Sequence, residues 1–403
     1  MAQNTTNIDS ALKEYYLPPA VEQLNNKSMM LSQIERNSRH IEGRRAVLSL
    51  HVERNHGVGA RAEGGTLPTA QNQGWAEERV GMAHNYLRLQ LSGQVMKMTA
   101  SDAGSFVRSL DSEMQYGVKD LRRDVNRQVF NNTAQTIATC GTTSGATEVI
   151  LASTTGNTAM RQFEVGMLVD IGTAADYSVV IAGTEISAVN RAVGSESITI
   201  GTAVTTSSSH FVTRTGNQSN ELIGLREIVA NSGTLHNVNP ATYEIWKSTS
   251  NSNSGTNRAA TDNLFETVID TIDLDSDESP NFCVTSKGVR RNYAAQLKAQ
   301  KRFNDSASLT LKGGFKALTI DCGDVTLPII GERDCPNNTA FLLNLGALTQ
   351  HEMSDWEWMN EDGAILNRVS GKDEYEATMF KYHQLCTNQR NVHGIISDLT
   401  EGS

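Results

Sequence analysis

Cysteine is scarce in this 403-residue chain: there are five, Cys140, Cys283, Cys322, Cys335 and Cys386. They are odd in number, far apart and free of any Cys-x-x-Cys pair, so neither a disulfide framework nor a zinc knuckle is encoded, and the pattern fits reduced thiols made in a cytoplasm. No apolar run approaches 18 residues, and no basic start leads into an apolar stretch, which argues against a membrane span and against a secretory leader. Cations are also short. A formal net charge of −10 leaves too little clustered Lys and Arg for a protein that coats nucleic acid, since gripping phosphate requires neutralising it. Lysine is missing altogether between Lys27 and Lys97.

Catalytic grammar is missing too. The nine histidines form no His-Glu-x-x-His pattern and have no close Cys partner, and no Gly-x-Ser-x-Gly elbow supplies a nucleophile. The carboxylate pairs Glu77-Glu78 and Glu361-Asp362 read as polar-loop residues that both stay ionised, unsuited to acid/base work. Gly57-x-Gly59-x-x-Ala62 imitates part of a dinucleotide fingerprint, but Gly64, Gly65 and Pro68 prevent the helix that motif must open. Asp273, Asp275 and Asp277 alternate as in a calcium loop, yet Glu278 and Val284 stand where an EF-hand needs Gly and Glu. The expectation is a chain without enzyme activity, cofactor or metal.

What is present is a polar, Gly-rich extended segment running straight into one long amphipathic helix. Gly57, Gly59, Gly64 and Gly65 supply backbone freedom at a tip. Val47, Leu48 and Leu50 approach that tip, and Val80, Met82, Tyr86, Leu87, Leu89 and Leu91 return from it, as two arms of a long hairpin. A two-stranded hairpin is marginal in water unless covered, so its existence predicts a neighbouring subunit. Beyond it, Phe106, Leu110, Met114, Val118, Leu121, Val125 and Val129 recur at three- and four-residue spacings, a continuous apolar stripe on a helix of about 30 residues, or roughly 45 Å. Gly117 costs that helix about 1 kcal/mol.

Elsewhere, the stretch before Ala46 is polar, broken by Pro18-Pro19, with helical character around Met29, Met30, Leu31 and Ile34. The middle of the chain turns rich in Thr, Ser and Gly with short β-branched runs, which fits a small antiparallel barrel or sandwich. Its few aromatics and scattered Arg161, Arg191 and Arg214 do not make a nucleic-acid groove. Leu264, Phe265, Val268, Ile269 and Ile272 mark an amphipathic helix, and Val289, Tyr293 and Leu297 another. The second carries Lys287, Arg290, Arg291 and Lys298, followed by Lys301 and Arg302, and reads as a solvated basic face. KALTI, VTLPII and TAFLLNL read as strands, DEYEATMFKYHQL as helix or strand, and a last strand falls near Val392 to Ile396.

The run GVGARAEGGTLPTAQNQG, the strand ending LSGQVMKMTASDAGSFVRSLDSEM and then VKDLRRDVNRQVF resemble the extended loop and spine helix of tailed-bacteriophage major capsid proteins of the Hong Kong 97 fold. RTGNQSNELIGLREIV, RRNYAAQLKAQKRF, ERDCPNNTAFLLNL and the stretch from EMSDWEWMNEDG to NVHGIISDL resemble later parts of the same family. The resemblance implies an α+β capsid fold: an N-terminal arm (1–46), an extended β-hairpin loop (47–98), a peripheral domain with the spine helix (99–140), an inserted small β subdomain (141–216), an axial α/β domain with connecting segments (217–345), and a C-terminal return to the peripheral domain (346–403). It implies hexamers and pentamers of this chain in an icosahedral virion capsid around double-stranded DNA, assembled in the bacterial host cytoplasm, with each loop lying over a neighbour. A portal, a separate scaffolding protein and room for a decoration protein belong to that picture. Gly57, Gly59, Gly64, Gly65, Pro68, Trp75, Leu89 and Leu91 are the candidate inter-subunit contacts. Some family members cross-link through a loop lysine; the lysine-free stretch argues against that here. An encapsulin-type nanocompartment shell is the alternative that shares the fold.

Overall fold

The long helix is the member against which the other layers pack. The structure, a computed structural model, describes residues 29–37, 43–94, 103–131, 135–152, 160–173, 179–192, 194–299, 309–310, 316–322, 325–360, 363 and 365–402. The helix runs Ala103–Val129 and buries Met114, Val118, Leu121, Val125 and Val129, the expected stripe; the side chains of Phe106 and Leu110 lie outside the described residues. From Met114 to Val125 its apolar face meets one sheet, and Val129 at its end joins the core of another. The first sheet holds Glu35–Asn37, Leu348–Trp358, Glu374–Thr387 and Asn367–Arg368 in order, with Ala83–Ser92 paired to Glu374–Thr387. Leu87, Leu89 and Leu91 project from Ala83–Ser92 toward Met114 and Val118, beside Trp356, Trp358 and Met379. Gly117 is what lets the helix sit this close, because a Cβ there would meet Leu87 Cδ2 at 3.0 Å and Leu89 Cδ2 at 3.4 Å. The propensity cost is offset by contact.

This pairing corrects the hairpin as read from sequence. The hairpin is Arg45–Glu53 against Gly74–Gly81, in register from Arg45 opposite Gly81 to His51 opposite Trp75, with a one-residue shift before Glu53 opposite Gly74. The returning chain then leaves it, and Ala83–Ser92 joins the sheet from Ala83 opposite His383 to Ser92 opposite Glu374. Period-two alternation is common to both arms and does not say which partner each takes. The DEYEATMFKYHQL segment resolves as strand, where it pairs on both sides.

Residues 138–214 make the inserted barrel. Its strands run Ala138–Thr139, His210–Arg214, Leu168–Thr173, Val179–Asn190, Ser197–Thr206 and Thr143–Ile150, and a bridge between Cys140 and Leu151 closes the ring. Phe163, Val169, Ile171, Ile186, Ile198 and Val212 fill it.

A seven-stranded mixed sheet forms the remaining body, in the order Thr249–Asn251, Gly394–Ile396, Ala340–Leu343, Phe282–Ser286, Val325–Glu332, Lys316–Cys322, Leu309–Thr310. Alternation along its strands serves two cores. Cys283, Leu342 and Ile329 face the helices Asp262–Ser276 and Lys287–Ala299, while Phe282, Val284, Phe341 and Ile330 face a cluster holding Val129, Phe130, Leu50, Val52 and Ala76. Thr261 caps the first of these helices, accepting from Leu264 N. On the second, Lys287, Arg290 and Arg291 are exposed as expected; Lys301 and Arg302 lie outside the described residues. The short helix Met29–Gln33 buries Met30 against the body, and Glu35–Asn37 then runs parallel to Leu348–Trp358.

The buried Arg390 guanidinium donates to the carbonyls of Glu227, Ile228, Ser232 and Gly233, holding the turn that follows the short helix Leu225–Ile228. Just before that helix, Gly224 passes so close to the end of the long helix that a Cβ would collide with Asn131 O and lie 2.5 Å from Asn131 N. Backbone cannot yield there as a side chain would. Gly224→Ala should therefore destabilise the chain by about 1–3 kcal/mol or more, seen as a lower urea midpoint.

Candidate assembly surface

The hairpin presents one face to its own chain and one to solvent. Leu50, Val52, Ala76 and Val80 are buried, and Arg79 N donates to His236 O at 2.8 Å, anchoring the base. On the other face Val47 and Trp75 are exposed, with the Trp75 ring 5.1 Å from His51. The tip, residues 54–73, is extended. Asn55 Nδ2 reaches Gln71 O at 2.7 Å across it, Gly57 N donates to Asn55 Oδ1 at 2.7 Å, and Gly65 N donates to Ala62 O at 2.9 Å. Gly64 sits at φ +76°, a conformation that favours glycine, and a Cβ on Gly57 would press on Gln71 N and Thr69 O at 3.1 Å.

Six of the eight residues singled out from sequence, Gly57, Gly59, Gly64, Gly65, Pro68 and Trp75, therefore lie on the tip or the outward face of the hairpin. Leu89 and Leu91 do not. They are partly buried under the long helix, within their own chain, because their strand turned into the sheet.

Glu78 also departs from the reading that placed it in a polar loop. It is fully buried in Gly74–Gly81, facing inward opposite Leu48, with Cys386 Sγ 3.4 Å from Oε1 and Oε2 without a hydrogen-bond partner. Burial outweighs the thiol contact and pushes its carboxyl up to about 8. The alternation of Ala76, Glu78 and Val80 on one face was the signal available in sequence.

A buried polar junction, unforeseen from sequence, stands where the long helix, the sheet, the barrel and the 215–224 linker meet. Arg127 forms a two-pronged ion pair with Glu221, one arm at 3.1 Å, and its Nε donates to Asp124 Oδ1 at 3.1 Å. Arg214 from the barrel approaches Asp124 at 2.9 Å. Burial opposes the Arg127 charge, and the two carboxylates outweigh it, so its pKa rises; Asp124 is held low by Arg127 and Arg214 against burial. Gln128 donates to Asn85 Oδ1 and Asp124 Oδ2, both at 2.9 Å, and accepts from Leu222 N at 3.2 Å. Asn85 Nδ2 in turn lies 3.1 Å from the buried His383. A second junction uses Asp334, which accepts from Asn126 at 2.5 Å and from Gln162 of the barrel segment at 2.9 Å. Its members are scattered along the chain, so no local spacing reveals them.

Above this junction opens a cleft of about 950 Å3, walled by Ala83–Ser92, the long helix and the barrel. Among the described residues no His, Cys, Asp and Glu cluster could hold a metal ion, and no helix is long and apolar enough to cross a membrane.

This mixed α+β body matches phage capsid subunits of the Hong Kong 97 type. The capsid asymmetric unit of cyanophage A-1(L) shares its fold, at a TM-score of 0.56 and 13% identity over 93% of each chain. The holo-SrpI encapsulin complex of Synechococcus elongatus PCC 7942 (TM-score 0.46, 8% identity, 100% and 99% covered) and a native GTA particle capsid (0.46, 9%, 92% and 90%) are more distant likenesses. No curated protein matches the chain in sequence. A family model for the SU10 major capsid protein matches residues 58–400, and the chain belongs to that family. It is a tailed-phage major capsid protein, a component of the virion capsid.

The buried charges carry two expected outcomes. Arg127→Met or Glu221→Leu alone should cost about 3–5 kcal/mol by stranding the partner charge, while the double variant should recover most of that loss in a urea-unfolding cycle. For Glu78, the folded-state value lies above the ordinary 4.5, so its contribution is full below about pH 4.5 and is lost as pH rises through about 8. Glu78→Gln should therefore gain on the native chain by a few kcal/mol, to order of magnitude, between about pH 5 and pH 8, measured as the difference in unfolding free energy at the two pH values.

Proposed function

We propose that this chain forms hexamers and pentamers that close into an icosahedral shell around double-stranded DNA, in a structural and not a catalytic role. The observation that carries the reading is the hairpin tip, whose backbone and whose Val58 and Leu67 side chains find no cover in the chain's own fold. A surface of this kind is stable once a neighbour covers it, and in a closed lattice each modest contact is reinforced by the rest. The 47–82 hairpin is the extended loop, the long helix with its sheet the peripheral domain, the seven-stranded sheet with its two helices the axial domain, and the barrel an insertion. Gly57, Gly59, Gly64, Gly65, Pro68 and Trp75 set the geometry between subunits.

Assembly in the bacterial host cytoplasm, with a separate scaffolding protein, a portal and room for a decoration protein, completes the reading. The net charge of −10 suits a shell that encloses DNA without gripping it. Membership of the capsid family favours a genome over the cargo enzyme of a nanocompartment.

Negative-stain electron microscopy of the purified chain, alone and co-expressed with a scaffolding protein from the same genome, tests this. Closed shells, or rings of five and six, are expected. Replacing Gly64 and Gly65 by Val should abolish shells while leaving the circular dichroism of the subunit unchanged. A monodisperse monomer under both conditions, or normal shells from the double-Val variant, would overturn the shell reading or the glycine assignment respectively.

A further inference from the structure

Ala83–Ser92 pairs with Glu374–Thr387 along one side and, among the described residues, with no strand along the other. Its residues His84, Asn85, Tyr86, Leu87 and Arg88 all line the 950 Å3 cleft. Side chains of a strand alternate between faces, so a cavity touching five in succession runs along the backbone edge. Natural edges are guarded by Lys, Pro or bulges; this strand, AHNYLRLQLS, has no Lys and no Pro, and its ladder carries no register shift. An open edge inside a cleft is a template for an added strand.

The hairpin tip has the matching deficiency. Over residues 54–73, all of them described, the single backbone-to-backbone hydrogen bond is Gly65 N to Ala62 O. Pro68 removes a donor from one arm, whereas every residue of the 54–61 arm, RNHGVGAR, carries a backbone N–H, that of Gly57 being turned to Asn55 Oδ1 in the single chain. Gly57 and Gly59 present no side chain to hold a second backbone away, and Val58 is 86% exposed. This arm carries Arg54 and Arg61 and no acid, and the cleft lining offers the exposed Asp120, while its Asp124 and Glu221 are paired with Arg127 and Arg214 and its Arg88 with Glu376. The chain's own tip stands at the far end of the eight-residue strand Gly74–Gly81, about 26 Å of strand from the start of Ala83–Ser92.

We propose that the 54–61 arm of a second copy of this chain adds as a strand along the His84–Arg88 edge that lines the cleft, with the barrel as its opposite wall. The proposal rests on the shell reading and names the seat of the tip. Backbone pairing supplies the attachment, Val58 meets the apolar floor at Leu87, Leu121 and Met167, and Leu168 of the barrel, half-exposed in the single chain, closes over it. The barrel then serves as a clamp on the neighbour's loop.

The test is cross-linking in assembled shells with a short bismaleimide, using V58C/Y86C and, as a second pair, A60C/L168C in the full chain. The five native cysteines are buried and do not compete. Either pair should convert most of the monomer band into a ladder of covalent multimers, with no ladder from the four single variants, and mass spectrometry should join the 54–61 peptide to the 84–88 or 168 peptide. Shells of normal appearance with no ladder from either pair overturn the proposal while leaving the shell reading intact. So does a ladder in which the 54–61 peptide is joined to a second 54–61 peptide or to a native cysteine. An unmodified chain that forms neither shells nor rings overturns the shell reading and this seat with it.

Discussion

The buried pair of Arg127 and Glu221 is the constraint on which the rest of the molecule is arranged. Removing both charges from water is expensive, and their attraction repays this only when the remaining donors and acceptors are also satisfied. Here they are satisfied from every direction: Asp124 on the helix, Asn131 beyond its end, Asn217 in the linker and, through Asp124, Arg214 of the barrel. The partners come from the helix and its end, from the linker and from the barrel. The pair therefore selects one relative placement of helix, barrel and linker, where an apolar contact would tolerate several.

That placement explains the two sides of the molecule. Below the junction, the sheet closes on the long helix through Leu87, Leu89 and Leu91, with Gly117 permitting the approach. Above it, the barrel is held off the sheet and leaves a cleft along an unpaired strand edge. The hairpin leaves the same region with its base fixed by apolar burial and by the bond from Arg79 N to His236 O, and with its tip short of internal hydrogen bonds. A subunit rigid at its centre and incomplete at its extremity is suited to a lattice, because the contacts it lacks are those that only a neighbour can supply.

Much of this was legible in the residues. The stripe from Met114 to Val129 predicted the long helix, Phe265 to Ile272 and Val289 to Tyr293 predicted the helices of the seven-stranded body, and the β-branched runs of the middle segment predicted the barrel. The outward position of the tip glycines, Pro68 and Trp75 was legible as well. Leu89 and Leu91 were misplaced, since alternation identifies a strand's faces without naming its partner, and Glu78 was taken for a surface acid because charge ordinarily marks exposure.

By itself, then, the sequence determined the elements, through periodicities of 3.6 and 2 that depend only on local geometry. Tertiary structure alone decided which strand Ala83–Ser92 would pair with, which charges would be buried together and where an edge would be left open. The physical reason is separation along the chain: Arg127 meets Glu221, and Asn85 meets His383, across distances that no local pattern encodes, so those contacts exist only once the layers have packed.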